Sequence, residues 1–291
     1  MPRLMRICII PAIAGFLCSC EDGGSKSNHD LAPIGSKTLA IYGRVNEWAF
    51  CSSAPLDTVL DTMRKEAEAL AANGWDGGQI ELWSWVRYSG MGSAAGMQRI
   101  REVFPEMVRV YRKLGLWLVV SGANDNQGLG KWGDPGIPLS KDIGFTDECL
   151  ALVLAQGPEN LIVQPVCETQ TSAGRDMERK WAAALKPAGF FLLDNRGSRP
   201  TRPQAWADAA VWHPCSLDLS GIAQTLWVNN DCGLAIMAMS GGGMRDPANP
   251  AAVAKYLADG IARGFPAIMV YAWGNADLDL PAIQAIRGVQ R

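Results

Sequence analysis

The sequence predicts an α/β protein with one domain, a closed (β/α)8 or TIM barrel. Between Leu39 and Arg291 a short apolar segment recurs eight times, and Gly, Asn, Asp, Trp or Pro breaks it each time before the chain continues. Strands that alternate with helices favour a parallel sheet. An even count of eight, without a Gly-x-Gly-x-x-Gly turn, favours the closed barrel over an open sheet. The alternative is seven strands or a distorted eight, because the helices of units five and six are weak.

The predicted strands are apolar runs of four to eight residues. They are Leu39–Asn46, Gly78–Trp83, Leu116–Ser121, Asn160–Val166, Gly189–Asp194, Ala210–His213, Leu234–Met239 and Ala267–Tyr271. The helices between them show apolar residues at helical spacing. They are Leu56–Asn73, Gly96–Leu114, Thr146–Gln156, Arg175–Lys186, Pro250–Arg263 and Leu280–Val289, with a short one before strand six. Asp57 is the predicted N-cap of the first helix, and Gly74 ends it.

The amino terminus has the layout of an export signal. Arg3 and Arg6 precede Ile7–Leu17, an apolar run of 11 residues that is too short to cross a bilayer and suits a signal peptide. The run ends in Leu17-Cys18-Ser19-Cys20, which resembles a bacterial lipobox with Cys20 as the lipidated residue. An ordinary cleaved signal peptide is the alternative.

This layout divides the chain into three parts. Residues 1–19 are the predicted lipoprotein signal peptide, residues 20–36 a polar flexible tether, and residues 37–291 the barrel. The predicted protein is exported and held by its lipid on a bacterial membrane, facing the periplasm or the cell surface.

Composition excludes several classes of function. The formal net charge is −2, and it falls to −4 without Arg3 and Arg6, so no nucleic-acid partner is expected. Of the two histidines, His29 lies in the tether, and the five cysteines after the leader show no C-x-x-C spacing. A metal site is therefore not predicted, and no cofactor is needed. Cys215 and Cys232 are the favoured pair for a disulfide bond.

Polar side chains are predicted inside the barrel. Successive side chains of a strand point to opposite faces. If Ile41 and Val45 pack on the helices, the residues next to them in the first strand point into the barrel. Barrel interiors normally hold branched aliphatic side chains, and a buried polar group is costly unless it is partnered. A functional site is the simpler explanation, and an internal network such as an Arg44–Glu81 ion pair is the alternative. The predicted inward residues are Tyr42, Arg44, Asn46, Gln79, Glu81, Trp83, Gln164, Val166, Glu168, Asp194, Tyr271 and Trp273.

A pair of carboxylates is the best-supported set of catalytic groups. Glu168 and Asp194 lie at the ends of neighbouring strands four and five, where barrels place catalytic groups. Glycoside hydrolysis needs one carboxylic acid and a second carboxylate on either side of the bond. Indole side chains near the strand ends offer flat apolar faces that suit sugar rings. The predicted substrate-binding residues are Arg44, Glu81, Trp83, Trp85, Asp125, Gln164, His213, Tyr271 and Trp273.

Two motifs carry a resemblance to a known group. Gln164-Pro165-Val166-Cys167-Glu168 and Tyr271-Ala272-Trp273-Gly274 resemble the strand-four acid/base Glu and the strand-eight Trp platform of the large retaining clan of (β/α)8 glycoside hydrolases. That clan has Asn directly before this Glu, where Cys167 stands here. Its nucleophilic Glu ends strand seven, where this chain has Met239-Ser240-Gly241.

The resemblance implies a glycosidase that acts on a poly- or oligosaccharide, with Glu168 as acid/base. Asp194, then Glu81, then Asp125 are the candidates for the second carboxylate. A barrel that binds sugar without catalysis is the first alternative, because strand seven has no carboxylate. An enzyme for phosphodiesters or phosphosugars, which would use the Ser240–Gly243 loop, is the second.

Overall fold

Eight parallel strands form a closed barrel in which each strand pairs with its neighbours in sequence and β8 pairs with β1. The strands are β1 Leu39–Gly43, β2 Gly77–Glu81, β3 Trp117–Asn124, β4 Leu161–Cys167, β5 Phe191–Asn195, β6 Ala209–Trp212, β7 Gly233–Met239 and β8 Ala267–Tyr271. The computed structural model describes residues 38–43, 54–82, 93–124, 143–167, 169, 171–195, 204–212, 233–239, 250–263, 265, 267–271 and 286–289. The predicted (β/α)8 fold is confirmed.

Helices follow five of the strands in the described part of the chain. They are α1 Leu56–Asn73, α2 Ser93–Lys113, α3 Ile143–Gln156, α4 Ser172–Leu185 and α5 Pro250–Ala262, and Ile286–Gly288 forms a short 3-10 helix. The bounds of β8 and α1 are those predicted, and the predicted bounds of the other strands and of α2 to α5 lie within three residues of the observed ones. The predicted short helix before β6 is a turn at residues 205–206. None of the helices in the described ranges combines the length and apolarity needed to cross a membrane.

The ends of α1 show how local sequence sets an element. Gly74 takes the left-handed conformation at φ 90°, and its N–H donates to Ala71 O and Leu70 O. This is a common helix ending, which glycine adopts without strain. The predicted N-cap was wrong, since Pro55 holds that position without a side-chain bond and Asp57 lies in the first turn. An acidic residue in the first turn interacts favourably with the positive end of the helix dipole.

Two apolar clusters sort the strand residues by face. A small cluster lies in the lumen and takes alternate residues of β1, β5, β6 and β8, as with Leu39 and Ile41 of β1. A large cluster joins the outer strand faces to the helices and includes Ala40 and Tyr42. Since parallel strands are buried on both faces, apolar residues occupy both positions of the alternation.

Two aspartates tie neighbouring strands at the amino end of the barrel. Asp76, directly before β2, accepts a hydrogen bond from Ala40 N–H through Oδ2 at 2.8 Å. Asp208, directly before β6, accepts one from Leu192 N–H through Oδ2 at 2.9 Å. The two pairs, β1–β2 and β5–β6, stand four strands apart, so both halves of the barrel use the same device. This end of a TIM barrel serves stability, which leaves the carboxyl end for chemistry.

Candidate functional site at the carboxyl end of the barrel

Amide and hydroxyl side chains line the lumen between β2 and β4. Gln79 Nε2 donates to Ser121 Oγ at 3.4 Å, and Gln164 Nε2 donates to the same oxygen at 2.9 Å. All three side chains are buried. The prediction that Gln79 and Gln164 face the lumen agrees with their shared contact on β3, the strand between theirs.

Glu81 is the carboxylate that the structure brings to this lumen. It stands two residues beyond Gln79 on β2, opposite Ser121 in the β2–β3 register, and it is buried. Its neighbours Ile80 and Leu82 belong to the large cluster that packs on the helices. Alternation therefore turns Glu81 inward, as predicted.

Asp194 faces the other way, and the prediction that it points into the lumen was wrong. Phe191 and Leu193 of β5 fill the lumen, whereas Leu192 packs on the helix side. Asp194 shares the face of Leu192, is fully buried, and accepts a hydrogen bond from Gln204 N–H at 2.9 Å. Its carboxylate thus holds the connection to β6, and the lumen-facing residue at the end of β5 is Asn195.

The residues on both sides of Glu168 make hydrogen bonds to residues of β5 and α4. Asn195 Nδ2 donates to Cys167 Sγ at 3.5 Å, and Thr169 N–H donates to Asn195 O at 3.2 Å. The Thr169 hydroxyl donates to Glu178 Oε1, and both of these residues are buried. The end of β4, where catalysis was predicted, therefore has contacts that define its path.

The predicted inward orientations of Tyr42 and Val166 were also wrong. The Tyr42 ring packs edge-on against Trp75 with centroids 5.2 Å apart, on the helix side of β1. Val166 of β4 belongs to the same large cluster. The prediction for Arg44 used the same alternation, and Arg44 itself lies beyond the described end of β1. For Tyr271 the structure describes the backbone, which pairs with Gly43 and Met239.

Several predicted residues fall outside the described ranges, and their roles stay predictions. They are Cys20, Arg44, Trp83, Trp85, Asp125, Glu168, His213, Cys215, Cys232, Ser240–Gly243 and Trp273.

The two cysteine side chains that the structure describes, Cys149 and Cys167, are buried. Burial raises the pKa of Cys149 to about 12, so this thiol stays protonated at neutral pH and is a poor nucleophile. Cys167 is buried as well, and its Sγ accepts the hydrogen bond from Asn195 Nδ2. Within the described ranges no three His, Cys, Asp or Glu side chains cluster so that they could hold a metal ion.

Four residues of this region were missed by sequence reasoning: Ser121, Thr169, Glu178 and Asn195. Glu178 carried a readable signal, because it lies in the buried stripe of α4 with Met177, Trp181 and Leu185. A carboxylate in an apolar helical stripe must have a partner. Ser121 and Asn195 carried none, since their orientation depends on the register.

Solved structures share this fold at low sequence identity, while no family model and no curated protein sequence match the chain. A family 5 glycoside hydrolase from Bacteroides vulgatus ATCC 8482 is 9% identical with a TM-score of 0.54, covering 80% of this chain and 57% of its own. The endo-1,4-beta-mannanase from Rhizomucor miehei is 9% identical with a TM-score of 0.51, covering 86% and 93%. The oxidized homocysteine methyltransferase MmuM from Escherichia coli is 14% identical with a TM-score of 0.58, covering 88% and 98%.

These matches show the fold alone. The chain has a (β/α)8 barrel like that of glycoside hydrolases, and a methyltransferase has it too. It spans little more than half the length of the Bacteroides vulgatus hydrolase. Function has to be argued from the site.

Proposed function

We propose that this protein is an exported, lipid-anchored glycoside hydrolase that cleaves a poly- or oligosaccharide with two carboxylates. The observation that carries the proposal is the polar lumen, in which Glu81, Gln79 and Gln164 occupy positions that branched aliphatic residues usually fill. Two of the structural neighbours are a glycoside hydrolase and an endo-1,4-beta-mannanase, which supports the same class of substrate.

In the proposed mechanism Glu168 is the general acid, and in a retaining reaction it later acts as the general base. It protonates the oxygen of the leaving sugar, a contribution of about 10²–10⁴ in rate. Glu81 replaces Asp194 as the second carboxylate, because Asp194 is engaged on the helix side of β5. In a retaining reaction Glu81 attacks the anomeric carbon as its bond to the leaving oxygen breaks, and water then hydrolyses the glycosyl-enzyme. In an inverting reaction Glu81 activates the water that displaces the leaving sugar directly. The separation of the two carboxyl groups decides between these, about 5–5.5 Å against 6.5–9.5 Å.

The remaining predicted residues bind the substrate in this proposal. Trp83, Trp85 and Trp273 supply flat faces for sugar rings. Arg44, Asp125, His213 and Tyr271 bind hydroxyl groups at the mouth, and Gln164 does so below it.

The test is hydrolysis of four polysaccharides, β-mannan, β-glucan, xylan and α-glucan. The rate is measured as the release of reducing ends. Wild type is compared with Glu168→Gln and Glu81→Gln, and Glu68→Gln on the exposed face of α1 is the matched control. We expect wild type and the control to release sugar at equal rates. Both site variants should be at least about 10²-fold slower. Equal rates for wild type and Glu168→Gln overturn the assignment.

A sugar-binding lipoprotein without catalysis is the second candidate. The observation that favours it is the end of β7, where Met239-Ser240-Gly241 stands at the place of the clan's nucleophilic Glu. It predicts saturable quenching of tryptophan fluorescence by an oligosaccharide, with no product formed.

Lipid attachment at Cys20 is part of the proposal and has its own test. Intact mass of the protein from its membrane fraction should exceed the mass of the mature polypeptide by its acyl groups. A Cys20→Ser variant should lose this mass and leave the membrane. An unmodified mature amino terminus in the wild type contradicts the anchor.

A further inference from the structure

Two glutamine side chains in the lumen have buried acceptor oxygens without a hydrogen-bond partner in the described part of the chain. Gln79 and Gln164 both direct Nε2 at Ser121 Oγ, and within the described part of the chain neither Oε1 has a hydrogen-bond partner. Both side chains are 1% exposed or less. Buried carbonyl oxygens without partners destabilise a fold, so this arrangement needs a cause.

Reversing the amides does not remove the problem. A serine hydroxyl carries one hydrogen, so Ser121 can donate to the oxygen of one amide at most. The other amide must then donate its N–H to Ser121 and leave its Oε1 pointing elsewhere. At least one acceptor therefore stays open in the lumen, whichever way each amide is assigned.

Neighbouring lumen positions place these groups below the mouth. On β1 the lumen residues are Leu39 and Ile41, and the next lumen position is Gly43, which has no side chain. On β2, Glu81 stands on the same face as Gln79, one step nearer the carboxyl end. Glu81 therefore lies nearer the carboxyl end of the barrel than Gln79 does.

We propose that Gln79, Ser121 and Gln164 form a buried subsite that binds a hydroxyl group of a saccharide. Each amide keeps an acceptor oxygen beside a second N–H donor. A hydroxyl group can donate to the first and accept from the second, whereas an ammonium group offers donors only. The subsite thus selects a neutral polyhydroxylated ligand. It rests on the proposed saccharide specificity but not on turnover.

The test separates binding from stability. Gln79→Met and Gln164→Met replace each amide by an apolar side chain of similar length. Met269→Leu, a volume-conserving change at another lumen position, is the matched control. The thermal midpoint is measured without ligand, and the Kd is measured by calorimetric titration of cellotetraose, mannotetraose and xylotetraose.

We expect each Gln→Met variant to keep or raise the thermal midpoint, by up to about 4 °C, and to weaken the Kd of the bound sugar at least tenfold. The control should match wild type in Kd. A lower midpoint with an unchanged Kd overturns the subsite and identifies a structural network, including one completed by water.

The outcomes also separate this proposal from the enzymatic one. A wild type that binds sugar without cleaving it, with binding lost in the Gln→Met variants, contradicts the hydrolase and supports the subsite. Cleavage with unchanged binding in the variants contradicts the subsite alone. A wild type that neither binds nor cleaves any of the three sugars overturns both.

Discussion

The contact between Thr169 and Glu178 offers a direct way to disturb the end of β4 without touching Glu168. Thr169→Val keeps the shape of the side chain and removes the hydroxyl that donates to the buried Glu178 carboxylate. Leaving a buried acceptor without its donor costs about 1–3 kcal/mol. We therefore expect the free energy of unfolding to fall by about 2 kcal/mol and the thermal midpoint by about 4–8 °C.

The same substitution should loosen the path of the chain on either side of Glu168. Thr169 N–H donates to Asn195 O, so its hydrogen exchange, followed by mass spectrometry of a peptide spanning β4 to α4, should accelerate at least tenfold. If Glu168 is the acid, kcat should fall about 10–100-fold, since a displacement near 1 Å can cost 10²-fold. KM should change little.

Two further variants serve as a control and as a smaller perturbation of the same contact. Thr62→Val removes a hydroxyl that bonds Thr58 O on the exposed side of α1 and should match wild type. Glu178→Gln keeps an acceptor for Thr169 and should lose about half as much stability or less. The reasoning is refuted if Thr169→Val leaves both the exchange of this peptide and the thermal midpoint unchanged.

Three further predictions concern the frame of the barrel. Asp76→Ala leaves a β1 amide without its acceptor and should cost about 1–3 kcal/mol in urea unfolding; a cost below about 0.5 kcal/mol contradicts this. The hydrogen bond from Arg109 lowers the pKa of Glu106 to about 2 from an ordinary 4.5. The contribution of ionised Glu106 to the free energy of unfolding is therefore present above pH 4.5 and is lost as the pH falls toward 2. Glu106→Gln should therefore cost about 1 kcal/mol at pH 7, given the partial exposure of the pair, and nothing at pH 2; equal costs at both pH values count against it. Gly122→Ala would put Cβ 2.5 Å from the Trp181 ring and should cost about 2–3 kcal/mol, whereas a neutral effect on the thermal midpoint would argue against this packing.

The fold was predictable because its signals are local and repeated. Each strand is a short apolar run with turn residues on both sides, and the first helix carries its own ending in Gly74. Strand β8 combines five apolar or aromatic residues before the next break, so its bounds could be predicted as they are. Such features need no knowledge of distant contacts.

It was less predictable which side chains of a strand point into the lumen and which toward the helices. The errors at Tyr42 and Asp194 have the same cause. In β1 and β5 apolar residues occupy both faces, so no alternation of polarity marks the lumen. Barrels place catalytic carboxylates at strand ends, yet Asp194 accepts a hydrogen bond from Gln204 N–H on the helix side. In β2 and in β4 up to Gln164, a Gln on one face and aliphatic residues on the other made the orientation readable, whereas Val166, predicted inward, belongs to the large cluster.

Contacts across the chain set the rest of the candidate site. Asn195 lies beside Cys167 because β4 and β5 are adjacent, and Glu178 reaches Thr169 because α4 packs on β4. The sequence spacing of these residues predicts neither contact. The charged residue in the apolar stripe of α4 is the part of this arrangement that a sequence could have shown.

The most direct test of the central claim is to compare two substrates of the same enzyme that differ in their leaving groups. Glu168→Gln and wild type are assayed on the best oligosaccharide and on the dinitrophenyl glycoside of the same sugar, whose leaving group needs no proton. The account predicts that the variant loses at least about 10²-fold on the oligosaccharide and less than about tenfold on the dinitrophenyl glycoside. An equal loss on both substrates, or no loss on either, contradicts Glu168 as the general acid of a glycoside hydrolase.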